Sequence, residues 1–139
     1  MTNAEKKAWL WRYQDSLRQE KELAEEVEQL RARACRVSPA FTGMPGAQGD
    51  GQALPRAVEK ILQAQLELQQ QIEQGDVIRR QIVAVLESIP NPRDRELLRR
   101  KYLLGQRWET ISDEMDLDLR WIQRRHKRAI SRLTIESHP

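Results

Sequence analysis

Apolar residues recur at steps of three and four in the first part of the chain, which is the spacing of one side of an α-helix. From Asn3 to about Arg36 nothing interrupts this pattern, and acidic and basic residues between the apolar positions stand at helical neighbour spacings. The apolar positions are Leu10, Tyr13, Leu17, Leu23, Val27, Leu30 and Ala34. The pattern predicts one long helix that needs a partner along this narrow stripe.

A second apolar stripe follows a segment that contains two prolines and four glycines within residues 38–51. This composition predicts a loop over residues 37–54, and Pro55 suits the first turn of the next helix. The second stripe consists of Val58, Ile61, Leu62, Leu68, Ile72, Ile82, Leu86 and Ile89. The two helices predict a long antiparallel coiled-coil hairpin over residues 3–90, although exchange of helices between two chains would bury the same stripes. Gly75 interrupts the second stripe and is interpreted as a bend.

The last third of the chain changes to short helices. The two prolines in residues 89–94 end the second long helix, because each disfavours a helical conformation in the residue before it. A short helix is predicted from Asp94 to a left-handed cap at Gly105, and a later one to begin with Asp118 as its N-cap. The apolar residues expected inside this region are Leu97, Leu98, Tyr102, Trp108, Ile111 and Met115.

The last of these helices separates its charges sharply. LRWIQRRHKRAISRL, residues 119–133, holds six basic residues and no acidic one, whereas the ten residues before it hold five acidic residues and no basic one. At 100° per residue the apolar residues fall on one side, and the other side carries Arg120, Trp121, Arg124, Lys127, Arg128 and Arg132. An arginine-rich helix held by two short preceding helices is the geometry of a helix-turn-helix that enters the major groove of DNA.

This geometry assigns two kinds of contact to the basic residues, since side chains in the groove read bases and flanking cations hold phosphates. The residues predicted to face base edges are Arg120, Trp121, Arg124 and Arg128. The residues predicted to hold phosphates are Arg125, Lys127, Arg132, Arg99, Arg100 and Arg107. A solvated basic surface is the alternative interpretation. The absence of acidic residues in the stripe and the preference for arginine, whose fork fits guanine and phosphate, favour DNA.

Composition excludes several other classes. Aromatic residues make up 5% and charged residues 32% of the 139 residues, which is typical of long helices rather than a thick core. No apolar run is long enough for a membrane span or a signal peptide, so a cytoplasmic protein is expected. One cysteine and two histidines predict neither a disulfide nor a metal site, and no nucleophile–base pair or phosphate loop indicates an enzyme or a cofactor.

Residues 95–133 resemble region 4 of bacterial sigma-70-type factors. The matching positions are Leu98, Tyr102, Gly105, Ile111, Met115, Asp118, Ile122, Arg128, Ala129 and Leu133. With the preceding helices, the chain resembles the small phage-encoded, sigma-region-4-like regulators related to ArpU and RinA. The resemblance implies a helix-turn-helix fold, transcription regulation in a bacterial host cell, and contact with double-stranded DNA, and it leaves contact with bacterial RNA polymerase open.

The sequence therefore predicts an all-α, phage-type regulator of transcription that binds specific DNA sequences. A helical hairpin over residues 3–90 would serve oligomerisation, and a helix-turn-helix over residues 92–135 would bind DNA. A homodimer is expected, because one such head contacts only one half-site. Two alternatives remain open: a small terminase-like subunit for DNA packaging, and an adaptor whose basic face docks on RNA polymerase.

Overall fold

The structure, a computed structural model, describes the backbone of residues 1–41 and 51–136 and the side chains of residues 1–36 and 51–136. Every regular element in these ranges is helical, as the sequence predicts. In chain order the elements are α1 (Asn3–Phe41), α2 (Ala53–Glu87), α3 (Pro92–Leu98), a π-helical turn (Arg99–Leu103), α4 (Trp108–Met115) and α5 (Leu119–Arg132). None of the described helices is both long and apolar enough to cross a membrane.

Helix α1 continues beyond the point where the sequence predicts its end. It runs to Phe41 and α2 begins at Ala53, so residues 37–41 and 53–54 of the predicted loop are helical instead. The part of that predicted loop over residues 42–50 lies outside the described residues. Pro39 therefore lies within α1, two residues before its last residue. Pro55 lies in the first turn of α2, as predicted.

The chain divides into two compact units, and the first, here called the middle unit, comprises Leu17–Gln74. Its most buried apolar side chains are Val27 and Ala64, each 4% exposed, and the adjacent Ile61 and Leu68 are half-buried. The predicted stripe on α2 is therefore wrong in part. Three of its members are exposed rather than buried, namely Val58, Leu62 and Ile72. Helix α2 has apolar residues on more than one face, and periodicity alone does not show which face is covered.

The second unit, here called the terminal unit, comprises Met1–Ser16 and Gly75–Pro139. Its parts of α1 and α2 run antiparallel, since Arg12 donates to the Gln81 side chain at 2.9 Å and Gly75 lies against Ser16. One buried apolar cluster joins these parts to the later helices: Leu10, Ile82, Leu86, Ile89, Leu98, Tyr102, Ala129, Ile130, Leu133 and Ile135. The compact units thus differ from the predicted domains 3–90 and 92–135, because this core draws residues from both ranges.

Gly75 serves a close approach between helices. It lies inside α2, which is continuous from Ala53 to Glu87 and shows no break there. A Cβ atom at Gly75 would stand 2.7 Å from Ser16 Oγ, and Ser16 is itself buried. The missing side chain therefore makes room for α1, which replaces the bend that the sequence suggested.

The three short helices share a second apolar cluster. Leu97, Ile111 and Ile122 are almost completely buried in it, one each from α3, α4 and α5. The side chains packed around them are Trp108, Met115, Leu117 and Trp121. Because each helix contributes one central residue, the cluster sets the positions of α4 and α5 relative to α3.

The ends of the short helices follow local capping chemistry. Asn91 caps α3 by accepting from the Arg93 and Asp94 N–H groups at 2.9 and 3.4 Å. The prediction that this helix starts at Asp94 is therefore wrong. Gly105 has the predicted left-handed conformation, with φ +67°. Asp118 accepts from the Trp121 N–H at 3.3 Å and caps α5, as predicted.

Candidate nucleic-acid interface

Helix α5 separates a buried apolar face from an exposed basic face. Its buried residues are Ile122, His126, Ala129 and Ile130, which pack into the two apolar clusters or against their edge. The exposed residues with positive charge, here called the basic face, are Arg120, Arg124, Lys127, Arg128 and Arg132. The sequence predicts that all five contact DNA, and it makes no such prediction for Gln123 and Ser131, which are exposed on the same helix.

The basic face is not neutralised by neighbouring carboxylates. Within the described residues, none of its five side chains forms an ion pair or a side-chain hydrogen bond. Two of the acidic residues just before α5 bond to groups outside the basic face. Asp118 caps the helix, and Glu114 accepts from Arg100 and Gln106. Five cations on one side of a helix therefore remain available to an anionic partner.

Arg125 and Trp121 occupy a different environment from the basic face. Arg125 donates to Asp94 Oδ1 through Nε at 2.9 Å, and its Nη2 lies 2.8 Å from the same oxygen. Its guanidinium also lies over the Trp121 ring, 5.4 Å from the centroid, and both side chains are half-buried. The structure thus brings Arg125 to a carboxylate of α3, which attaches α5 to that helix. No local pattern indicates this pair, because its members are 31 positions apart.

The other three predicted phosphate contacts are dispersed. Arg99 donates to Glu96 at 2.8 and 3.0 Å, and its hydrogen bond lowers the pKa of the Glu96 carboxyl. Arg100 donates to Glu96 and to Glu114, so it links the α3 region to α4. Arg107 is exposed at the N-terminus of α4, and its side chain makes no capping hydrogen bond. Of these three arginines, only Arg107 resembles the basic face in its surroundings.

The turn between α4 and α5 is held by its own hydrogen bonds. Asp116 adopts the left-handed conformation at φ 54° and ψ 49°, which short polar side chains tolerate better than most. The Leu117 N–H donates to the Ser112 carbonyl at 3.1 Å, and Ser112 Oγ donates to the Leu117 carbonyl at 2.5 Å. Together with the Asp116 N–H, which donates to the Asp113 carbonyl at 3.4 Å, the Leu117 backbone bond ends α4 in the manner of a Schellman cap and fixes the direction in which α5 leaves.

The C-terminal end of α5 is held by the start of α1. Lys6 Nζ donates to the carbonyls of Ile130 and Ser131 at 3.2 and 3.1 Å, and Asn3 Nδ2 donates to Ser131 Oγ at 2.9 Å. A cation at this position also opposes the negative end of the helix dipole. Sequence reasoning missed Lys6 and Asn3, since no local pattern relates them to residues more than 120 positions away.

Behind the basic face, His126 and Tyr102 form a buried hydrogen bond. Tyr102 Oη and His126 Nε2 lie 2.7 Å apart, and the edge of Trp108 contacts the imidazole at a centroid distance of 4.7 Å. Burial, with a smaller effect of the Lys7 and Lys101 charges, lowers the pKa of His126 to about 4. Burial also raises the pKa of Tyr102 to about 12. His126 is thus a neutral core residue at pH 7, consistent with its place on the predicted apolar side.

The Asp94–Arg125 pair should stabilise the fold far more than an exposed ion pair does. We expect Asp94→Ala to lower the free energy of unfolding by about 2 kcal/mol, because Arg125 then keeps its partial burial without a carboxylate partner. Asp76→Ala is the matched control. It removes an equally short pair with Arg80 that is exposed on α2, and should cost under about 0.5 kcal/mol. Urea unfolding of the full chain measures both, and equal losses would contradict the structural role of Arg125.

No function follows from other proteins of known structure or activity. No family model, curated protein sequence or solved structure matches the chain. Within the described residues, no three His, Cys, Asp or Glu side chains lie together where they could hold a metal ion. The basic face of α5, with five exposed cations opposite a buried apolar side, is the candidate site that the geometry offers.

Proposed function

We propose that the chain is a sequence-specific DNA-binding regulator of transcription, of the phage-type sigma-region-4-like class. In this proposal α1 and α2 form a coiled-coil hairpin, and α3 to α5 form a helix-turn-helix head. The observation that carries the proposal is the basic face: five exposed cations on α5, without ion pairs in the described residues, opposite a buried apolar side. A helix mounted in this way presents its charge outward, where a phosphate backbone can neutralise it.

The arrangement of α4 and α5 supports a major-groove helix. The left-handed Asp116 and the Asp118 cap begin α5 just after a sharp turn, so its first exposed turns are free to approach a partner. In helix-turn-helix proteins, residues near the start of the second helix contact base edges. We assign Arg120, Arg124 and Arg128 to base edges, because arginine donates two bonds to guanine O6 and N7.

The remaining side chains take supporting roles in this proposal. Lys127, Arg132 and Arg107 hold phosphates, since they are exposed and their ends are not held by carboxylates in the described residues. Gln123 joins the base-facing set, because glutamine can donate to and accept from adenine. Trp121 is half-buried, so in this proposal only the exposed edge of its ring contacts a base. Arg125 and Arg100 position α5 and α4 through the carboxylates of Asp94 and Glu114, and Arg99 is held by Glu96, three residues before it.

The direct test is duplex binding by the full chain at varied salt. Fluorescence anisotropy with a labelled duplex of random sequence should show binding that weakens steeply between about 50 and 200 mM salt, with a log–log slope near −0.9 for each phosphate contact. With the three phosphate-holding residues assigned above, we expect a slope of about −3. No binding at low salt would refute the proposal and leave an acidic protein partner, such as RNA polymerase, as the better account of the basic face.

A further inference from the structure

A shallow hollow opens between the start of α1, the π-helical turn, the N-terminal end of α4 and the middle of α5. It has a volume of about 420 Å³ and lies wholly within the terminal unit. This hollow, here called the aromatic hollow, is lined by four aromatic rings and two lysines: Trp11, Tyr102, Trp108, His126, Lys7 and Lys101. The fold thus collects six residues of one character from four separate elements.

The floor of the aromatic hollow is apolar and uncharged. Tyr102 stacks on the His126 ring at a centroid distance of 5.8 Å, and the edge of Trp11 meets Tyr102 at 6.1 Å. The Tyr102 hydroxyl bonds to the imidazole, which is neutral at pH 7, so no charge arises within the floor. Trp11 remains 37% exposed and offers its ring to a partner. Such a floor suits an apolar group of a ligand.

Two lysines form a positive rim above this floor. Lys101 Nζ lies over the Trp108 ring at 4.6 Å and over the Trp11 ring at 5.7 Å from the centroids. It donates to the Gln106 carbonyl at 3.3 Å, which uses one of its three N–H donors. Lys7 is exposed, and no carboxylate or carbonyl among the described residues holds its ammonium group. The rim therefore attracts an anion.

The charges next to the aromatic hollow are also mainly positive. Arg107 and Lys127 are exposed and stand next in sequence to residues of the floor. The nearby acid is Glu109, whose charge opposes the effect of burial on the pKa of Lys101. No ion pair joins Glu109 to Lys101 in the described part of the chain. Glu109 therefore does not neutralise the rim.

The start of α1, which carries Lys7, is fixed against the end of α5. Asn3 and Lys6 bond there to the side chain and the carbonyl of Ser131 at 2.9 and 3.1 Å. Ser131 is exposed and stands four residues after Lys127, so both lie on the same side of α5. The first turns of α1 therefore border the basic face, and the aromatic hollow continues this face towards α1.

The position of α4 indicates what approaches the hollow. In a helix-turn-helix, the first helix crosses the DNA backbone while the second lies in the major groove. In the proposed head these helices are α4 and α5, and Trp108, the first residue of α4, lies in the floor of the hollow. A strand that crosses the N-terminal end of α4 therefore comes to the mouth of the aromatic hollow.

We propose that the aromatic hollow holds the sugar–phosphate backbone of one strand of the duplex that α5 reads. Lys7 and Lys101 bind its phosphates, and the ring of Trp11 packs against a deoxyribose. The strand alternates apolar sugars with anionic phosphates, which matches an apolar floor below a positive rim. This inference rests on the proposed DNA binding and extends it, because it adds α1 and the π-helical turn to the helix-turn-helix as parts of the interface.

A substitution of Lys7 tests the rim without disturbing the core. Lys7 and Lys101 add two phosphate contacts to the three assigned above, so the log–log salt slope of the unmodified chain should be about −4.5. Lys7→Ala should make the slope shallower by about 0.9 and weaken duplex binding about tenfold at about 50 mM salt. Lys21→Ala removes the same charge from an exposed position of α1 in the middle unit and should change neither quantity.

Fluorescence anisotropy with the duplex of random sequence measures both variants. Equal slopes and equal affinities of the Lys7→Ala and Lys21→Ala chains would overturn this inference and leave the proposed function standing. No binding by the unmodified chain at low salt would overturn both.

Photo-crosslinking tests the path of the strand. Ala8 is exposed and lines the aromatic hollow. In a Cys35→Ser background, an Ala8→Cys chain labelled with an azidophenacyl group should cross-link to the duplex on irradiation. Gln123→Cys on α5 is the positive control, and Glu22→Cys at an exposed position of α1 in the middle unit is the negative control.

The pattern of cross-links separates the two proposals. Cross-linking of the Gln123→Cys chain without the Ala8→Cys chain would overturn the strand path through the hollow and support DNA binding by α5. Equal cross-linking of the Ala8→Cys and Glu22→Cys chains would also overturn that path. No cross-link from any of the three chains would overturn the proposed function as well.

Discussion

Replacing Arg120, Arg124 and Arg128 together by alanine should lower the affinity for cognate duplex DNA by about 4 kcal/mol, roughly a thousandfold. Each of these arginines is assigned to a base contact, and such contacts contribute about 1–3 kcal/mol with incomplete additivity. The affinity is measured by anisotropy at constant salt on the site selected from a random duplex pool. Folding should be unchanged, since all three side chains are exposed on α5 and make no ion pair with other described residues.

A matched variant separates this effect from the loss of positive charge. Arg33, Arg36 and Arg79 are exposed on α1 and α2, and replacing these three by alanine removes the same charge. This control should retain most of the affinity. Single substitutions refine the assignment, because Arg124→Ala should relax sequence preference whereas Arg132→Ala should weaken all duplexes alike. Equal losses in the two triple variants would show that only net charge matters and that α5 does not read bases.

Acidification from pH 7 to pH 4 should lower the free energy of unfolding by about 3 kcal/mol through His126 alone. Its pKa is about 4 in the folded chain against an ordinary value of 6.5, so between these limits only the unfolded chain binds the proton. The stabilisation is therefore complete above pH 6.5 and is lost as the pH falls towards 4. Urea unfolding at several pH values measures the slope, which should approach about 1.4 kcal/mol per pH unit in this window.

A substitution at the same position isolates the histidine from the carboxylates that titrate in this range. The glutamine side chain of a His126→Gln variant can still bond to the Tyr102 hydroxyl but does not titrate. We expect the unfolding free energy of this variant to depend less steeply on pH, by about one proton between pH 4 and 6.5. NMR titration of the His126 ring in the unmodified chain reports the folded pKa directly. A ring that titrates near 6.5 would contradict the burial argument.

Local signals in the sequence predicted two of the caps of the short helices. Gly105 and Asp118 adopt the left-handed conformation and the N-cap expected of them, because these features depend on residues within about four positions. The same reasoning misplaced the start of α3 at Asp94, where Asn91 is the cap. Both are good capping residues, and the choice depends on where Pro92 can begin the helix and on Arg125, which engages Asp94.

The sequence predicted which basic side chains of α5 are exposed, but not which of them have partners on other helices. The five members of the basic face were identified on the sequence, since helical periodicity separates them from the apolar side of α5. Arg125 lies on the same helix, yet a carboxylate of α3 takes its guanidinium. Periodicity gives the direction of a side chain from its own helix, whereas its partners come from elements that the pattern does not place.

The sequence by itself determined the helical class, the breaks between the short helices and the amphipathic character of α5, because each of these follows from residues close together in the chain. Only the tertiary structure decided which face of α2 is covered, so that Val58 and Leu62 are exposed while Ala64 is buried. It also decided that Lys6 holds the end of α5 and that Gly75 admits Ser16. These outcomes depend on distances between residues far apart in sequence, which are set when the apolar surfaces of several helices are buried together.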